Sequence, residues 1–409
     1  MKSFIAGVLI LAVAVPWTAR AEVKLGNEVL AASRFKVLQG KRVGLLTNPS
    51  GVNRRLDSTI DVLLAAPGLK LVALFGPEHG IYGDVPAGDK VASRIDARTG
   101  LPVHSLYGKT FKPTPEMLNG LDALVYDLQD TGCRSYTYIS SMGEAMEACG
   151  EAGIEFVVLD RPNPLGGERI EGPMLEPKFR SHVGYWNVPY VYGLTCGELA
   201  RMINGEGWIK KPCRLTVVPM KGWKRWMVWR DTDLPWVPSS PHVPHGDSAL
   251  FQVATGMLGE LYSVSTGIGY TLPFGCIAAP DLDPHRFARQ LNGYRLPGVK
   301  FQPITYKPYY FTFTNQVIGG VQIFFTDRKT APLTAINFYG YEALRKVADR
   351  DLFAESVKAN RSVNMFDKVN GTDASRKALE AGIPAAEIVA SWKAGEQAFR
   401  KERKKYLLY

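Results

Sequence analysis

Leu69-Lys70-Leu71-Val72-Ala73-Leu74-Phe75-Gly76-Pro77-Glu78-His79-Gly80 sets an apolar run against a tight turn. Residues 69–75 read as a strand. The turn holds a carboxylate beside an imidazole. Pro77 fixes its own φ, while Gly76 and Gly80 accept conformations that other residues resist. Such a turn can aim Glu78 into a cleft at the end of a sheet. Glu78 is therefore the first candidate for acid/base chemistry.

The same pattern recurs on either side. Residues 43–46 form a short apolar run. Residues 57–66 read as a helix with Ile60, Val62, Leu63 and Leu64 available for burial. A helical turn at 115–118 precedes a strand at 123–128. Residues 140–152 are helix-like, and 156–159 form another apolar strand. The alternation predicts an α/β fold: a mainly parallel sheet covered by helices on both faces. Each run ends in potential chemistry: Thr47-Asn48, Glu78-His79, Asp127 with Gln129 and Asp130, and Asp160-Arg161-Pro162-Asn163. Ligands of open α/β sheets bind beyond the carboxyl ends of the strands. Four segments are thus expected to deliver polar groups to one crevice. No Gly-x-Gly-x-x-Gly follows the first strand and no Walker loop occurs, which disfavours a nucleotide-dependent oxidoreductase.

A chain of 409 residues suggests two domains. Its first residues read as a targeting segment. Lys2 supplies a positive start, residues 4–15 are apolar, and Ala19-Arg20-Ala21 fits a cleavage site before Glu22. No cysteine lies near the cut, and later runs are too short or too polar to span a membrane. Export to a periplasm or the medium is expected. Removing residues 1–21 takes away Lys2 and Arg20 and lowers the formal charge from +10 to +8. Much of the excess lies in Arg400, Lys401, Arg403, Lys404 and Lys405, which read as a solvated helix face. Beyond net charge nothing points to nucleic acid. Cys133, Cys149, Cys196, Cys213 and Cys276 are irregularly spaced, without metal-binding pairs. Mostly buried free thiols are expected, with room for one disulfide.

The texture changes near residue 215. Trp223, Trp226, Trp229 and Trp236 crowd a proline-containing segment. Residues 317–327 read as a strand and 332–347 as a helix. Ile388, Trp392 and Phe399 are spaced to share one helical face. These features predict a second α/β domain over 216–409, after a first over 22–215.

The motifs resemble those of the exo-β-N-acetylmuramidases of peptidoglycan turnover, a glycoside hydrolase family first recorded as a domain of unknown function. The resemblance runs from about Leu25 to Tyr409. It is carried by Gly44-Leu45-Leu46-Thr47-Asn48-Pro49-Ser50-Gly51, the Gly76–Gly80 turn and Ser105-Leu106-Tyr107-Gly108. Asp127-Leu128-Gln129-Asp130-Thr131-Gly132-Cys133-Arg134-Ser135-Tyr136-Thr137-Tyr138 and Leu159-Asp160-Arg161-Pro162-Asn163-Pro164 add to it. So do Gly193-Leu194-Thr195-Cys196-Gly197-Glu198-Leu199-Ala200 and the close, Lys405-Tyr406-Leu407-Leu408-Tyr409. The resemblance implies a Rossmann-like domain joined to a second α/β domain, with an active-site cleft between them. It implies release of N-acetylmuramic acid (MurNAc) from non-reducing ends of glycan fragments, with no metal or nucleotide cofactor. It also implies that Glu78 is the catalytic residue. The chain departs from the family's pattern at Ile268, where an arginine is usual between two glycines. It departs again at Ser263 for asparagine and at Ile318 for cysteine. Losing that arginine could remove a ligand for a carboxylate such as the lactyl group.

Glu78 would act as general acid, with Asp127 or Asp130 as base, nucleophile or electrostatic partner. A turn acid bonding backbone amides is the structural alternative. His79 could orient Glu78 or serve only as a hydrogen-bonded histidine. Arg134 could hold a carboxylate or pair with Asp130. Tyr136 and Tyr138 alternate, so an extended stretch would present both on one side, for sugar stacking or core packing. Asn48, Gln129, Arg161 and Asn163 are further candidates for holding substrate, whereas Asp160 could simply hold its turn. His242 and His245 flank Val243-Pro244, which argues against a helical metal pair, and no metal site is assigned. The enzymatic alternative is a related hexosaminidase with a shifted sugar preference. The other is a non-catalytic peptidoglycan-fragment binding protein. No oligomeric state is assigned.

Overall fold

The computed structural model describes residues 22–86 and 88–409. The targeting segment expected over 1–21 lies outside the described residues.

The first domain is built on one sheet. Its strands are β1 (Arg42–Thr47), β2 (Lys70–Gly76), β3 (Arg94–Ile95), β4 (Pro102–Ser105), β5 (Ala123–Asp127) and β6 (Glu155–Leu159). A two-stranded ribbon of β7 (Glu171–Met174) and β8 (Pro189–Val191) intervenes before the last strand, β9 (Arg214–Val218). The sheet order is β3-β4-β2-β1-β5-β6-β9. All neighbours are parallel except β3 and β4. Successive side chains on a strand point to opposite faces. Leu46, Phe75, Leu124, Tyr126 and Phe156 accordingly pack on one face, against the helices Tyr138–Ala152 and Cys196–Gly205. Leu45, Leu74, Val125 and Val157 pack on the other, with Leu30, Ile60 and Leu63. Each such side chain contributes about 1.5–3 kcal/mol relative to an exposed one.

The helices have local causes. Thr195 Oγ1 accepts from the Glu198 amide at 3.2 Å and Glu198 Oε2 accepts from the Thr195 amide at 3.0 Å. This reciprocal cap satisfies two otherwise orphaned donors. Helix Tyr138–Ala152 ends at Gly153, whose φ of 71° lets its amide return to the last turn.

Chain reversal lies between β1 and β5, because β2 pairs on one side of β1 and β5 on the other. Thr47 and Asp127 are register partners there. This is the place where open sheets of this order bind ligands.

The strand β9 extends the sheet past the boundary expected at residue 215, which falls inside it. The second domain starts with helix Ser248–Gly259. Its sheet, β10 (Cys276–Ala279), β11 (Val299–Tyr306) and β12 (Ile318–Phe325), is antiparallel in the order β10-β12-β11. Helix Leu333–Ala348 packs beside Ser248–Gly259, where Asn337 Oδ1 accepts from the Met257 amide at 3.1 Å.

The face expected from Ile388, Trp392 and Phe399 is divided. Helix Ala385–Ser391 stops at Trp392 and helix Lys393–Glu402 begins after it. Ile388 and Trp392 join the second core, while Phe399 returns with Tyr406 to the first. Tyr409 finishes this return: its hydroxyl donates to Asp160 Oδ2 at 2.6 Å and accepts from the Met220 amide at 2.8 Å. All five cysteines are buried and unpaired. No helix of the described residues is long and apolar enough to cross a membrane.

Candidate active site

Strand β2 delivers the turn at residues 76–80. Gly80 closes it, donating its amide to the Pro77 carbonyl at 2.9 Å. Gly80 has a φ of 75°, and so, less expectedly, does His79, at 70°. A left-handed conformation at a residue with a Cβ costs about 1–2 kcal/mol. The His79 ring offsets this by bonding the Val85 carbonyl through Nδ1 at 2.8 Å. The outcome is a half-buried Glu78 with both oxygens fixed. Oε2 accepts from Thr137 Oγ1 at 2.8 Å and Oε1 from the Gly88 amide at 3.1 Å. Tyr107 lies beside this carboxylate; burial, and then the negative charge of Glu78, push its hydroxyl pKa up. Its ring continues into Phe111 at 5.4 Å and His182 at 5.7 Å between centroids.

The two aspartates differ. Asp127 is fully buried in an ion pair. Arg161 Nε reaches Oδ1 at 2.5 Å, and Arg161 Nη2 reaches Oδ2 at 3.0 Å. Thr59 Oγ1 also donates to Oδ2, at 2.5 Å. Both oxygens are therefore occupied. Asp130 receives the Tyr192 hydroxyl and the Gly132 amide on Oδ2, while its buried Oδ1 has no hydrogen-bond partner. Burial lifts its pKa to about 6 against these donors.

A folded aspartate that holds its proton above the unfolded value adds stability below about pH 4 and loses it as pH rises through 6. Asparagine can keep the Oδ2 contacts and place its amide at the unpartnered position. The unfolding free energy of wild type, relative to Asp130→Asn, is expected to fall by on the order of 2–3 kcal/mol between pH 4 and pH 7. Urea titrations at the two pH values measure it, and parallel curves would refute the raised pKa.

The remaining sequence candidates are placed as follows. Asn48 donates to the Tyr138 hydroxyl at 2.8 Å and to the Ser239 carbonyl at 2.9 Å. Tyr136 donates to Ser239 Oγ at 2.8 Å, Tyr138 to the Ser239 carbonyl, and their rings pack edge-on at 4.6 Å. Residues 131–137 turn rather than extend, yet the two rings do share a side. Arg134 is fully buried, its guanidinium donating to the carbonyls of Pro173, Val188, Val369 and Asn370 rather than to Asp130. Arg161 is held by Asp127 and the Val52 carbonyl. Asn163 donates to the Leu194 carbonyl, and Gln129 to the carbonyls of Asp130 and Pro162. Asp160 ties Thr195, Gly197 and Tyr409 together. The cavity that Gln129 and Arg161 line with Trp236 measures about 10 Å³, room for a water and not a sugar.

Four contributors were missed: Tyr107, Thr137, Ser239 and the reach of His242. Tyr107 and Thr137 sit inside quoted motifs, so the signal was there without a role. His242 Nε2 meets the Tyr310 hydroxyl at 3.0 Å, joining the segment after Ser239 to the β11–β12 loop. Burial, and then the neighbouring His79, lower the His242 pKa. The loop's Tyr309 amide bonds the Gly269 carbonyl at 2.7 Å, which places half-buried Ile268 next to it. Residues of both domains thus meet near the Glu78 turn. Among the described residues no group of three or more His, Cys, Asp or Glu is placed to hold a metal ion.

The family profile for the N-terminal domain of exo-beta-N-acetylmuramidase NamZ matches residues 43–247, and that for the C-terminal domain matches 251–409. The chain belongs to the exo-β-N-acetylmuramidase family. It is 45% identical over 390 residues to the peptidoglycan beta-N-acetylmuramidase NamZ of Bacillus subtilis strain 168, covering 95% of this chain and 92% of that protein. Two crystal structures of DUF1343 family proteins from Bacteroides fragilis share the fold. One aligns with a TM-score of 0.89 at 48% identity, the other with 0.76 at 31%. Each alignment covers 95% of this chain and 99% of the other. The muramidase family profiles divide at 247–251, next to the start of helix Ser248–Gly259.

Proposed function

We propose that this protein is an exo-acting β-N-acetylmuramidase that releases terminal, non-reducing MurNAc from peptidoglycan fragments. Family membership supports the reaction class. The observation that carries the site is Glu78, held at a strand end with both oxygens oriented and its side chain half-buried. Glu78 donates a proton to the glycosidic oxygen as its bond to the sugar breaks; water adds to the anomeric carbon and gives up a proton, which restores the acid form of the carboxyl pair. Asp130 is the better second carboxylate, because one oxygen lacks a partner while both of Asp127 are occupied. Asn48, Gln129, Arg134, Arg161 and Asn163 then act behind the site, by fixing the strand-end loops. Thr137 and Tyr107 adjoin Glu78 itself, and His242 with Tyr310 lies toward His79, so these four are the better candidates to meet the sugar.

Ile268 favours a second reading, a hexosaminidase with a shifted sugar preference, since an apolar side chain cannot bind a lactyl carboxylate. Purified protein is expected to release MurNAc from MurNAc-β-1,4-GlcNAc at least tenfold faster than it cleaves GlcNAc-β-1,4-GlcNAc. The reverse preference would establish the hexosaminidase. Binding of either disaccharide without turnover would make it a binding protein.

The protein is further proposed to act in the periplasm or the medium after loss of residues 1–21. Intact mass of the native protein is expected to place Glu22 first; a retained Met1 would oppose export by cleavage.

A further inference from the structure

A second cavity, of about 250 Å³, opens where the two domains meet, and it shares no lining residue with the surroundings of Glu78. Arg169, Arg225, Arg328, Lys329 and Arg400 line it together with Trp226. They come from four separate segments, among them the loop before β7, the turn after β12 and helix Lys393–Glu402. Only Glu168 and Glu171 supply negative charge to its walls.

Backbone carbonyls hold several of these cations, and carboxylates pair with three of them. Arg225 donates to the carbonyls of Gly167 and Gly193 at 2.6 and 2.5 Å. Arg400 donates to the Glu168 carbonyl at 3.0 Å, and Arg169 to the Ala331 carbonyl at 2.7 Å. Lys329 lies over the Trp226 ring, 5.6 Å from its centroid. The pairs are Glu171, in the wall itself, with Arg169, Glu198 with Arg225, and Asp247 with Arg328. Asp247 is shared, however, since Arg230 also reaches it, at 2.5 Å. Arg328 Nε is buried without a hydrogen-bond partner. Behind the cavity, burial and then the facing charges of Arg225 and Arg400 push Arg403 down to about 9.

We propose that this cavity binds a phosphate-bearing anion. Lys329 and Arg400 converge from separate segments beside Arg328, whose Nε has no partner, and such a cluster suits an oxyanion with more than one charge. A single carboxylate would leave part of this charge unanswered. Trp226, partly exposed and overlain by Lys329, adds an aromatic wall to the cavity. Because the lining spans both domains, a bound anion also joins them. The site stands apart from the muramidase reading and does not rest on it.

The test is calorimetric titration of the full mature protein with inorganic phosphate at constant ionic strength, with citrate as the carboxylate control. Wild type is expected to bind phosphate saturably. The Lys329→Gln/Arg400→Gln protein, with unchanged circular dichroism, is expected to bind at least tenfold more weakly. Lys329→Gln alone, at an exposed position, is expected to weaken binding severalfold and serves if the double variant misfolds. Wild type without saturable phosphate binding, variants that bind equally well, or citrate binding as tightly as phosphate would each overturn the assignment.

Discussion

Glu78→Gln is expected to lower kcat by roughly 10²–10⁴-fold, the usual contribution of a positioned general acid. Glutamine matches the carboxylate in shape. Its carbonyl can still accept from the Gly88 amide, and its amide can donate to Thr137 Oγ1 where Glu78 now accepts. The turn, the strained His79 and the Thr137 contact therefore have no reason to move. KM and the melting temperature should stay close to wild type. What disappears is the proton. Steady-state kinetics on MurNAc-β-1,4-GlcNAc with a folded variant decides it. Residual activity within tenfold of wild type would remove Glu78 from the chemistry and leave it as a turn acid.

Asp127→Ala is expected to destabilise the fold by about 3–5 kcal/mol, because it strands the Arg161 charge in a dry interior. Arg161 would keep only the Val52 carbonyl, and Thr59 and Asn27 would lose their shared acceptor. The companion variant, Asp127→Leu with Arg161→Met, removes both charges and should recover much of the loss, since well-packed apolar pairs often replace buried ion pairs at little cost. Urea midpoints of the two proteins measure the contrast. A loss below about 1 kcal/mol in Asp127→Ala would mean that the pair is not structural, and would return Asp127 to the list of catalytic carboxylates.

Apolar runs of four to seven residues that end in polar groups made the first domain legible. Burial on both faces of a parallel strand demands such runs, and the chain must turn polar where it leaves the sheet. The expected strands at 43–46, 69–75, 123–128 and 156–159 match β1, β2, β5 and β6 to within a residue or two. The second domain was harder. Its antiparallel strands mix exposed and buried positions, as the alternation in β11 shows, and only β12 stood out. The break at Trp392 left no proline or glycine at the break itself, so a continuous face from Ile388 to Phe399 looked equally good.

For the site, sequence located the strand ends but not the direction of each side chain. Arg134, Arg161 and Asn163 carry groups that bind sugars well, and the same groups bind carbonyls well. Their bonds to Val369, Val52 and Leu194 depend on segments far away in the chain, which no local pattern reveals. Tyr107 had the opposite problem: its motif was plain, and only tertiary structure puts it beside Glu78.

Tyr409 has a consequence for how the chain can be divided. The hydroxyl that serves Asp160 and Met220, and the rings of Phe399 and Tyr406, complete the first domain's interior from far along the sequence. That domain is therefore not a separable N-terminal module. A fragment cut at either domain boundary would leave Asp160 and the Cys196–Gly205 helix without the side chains that close over them.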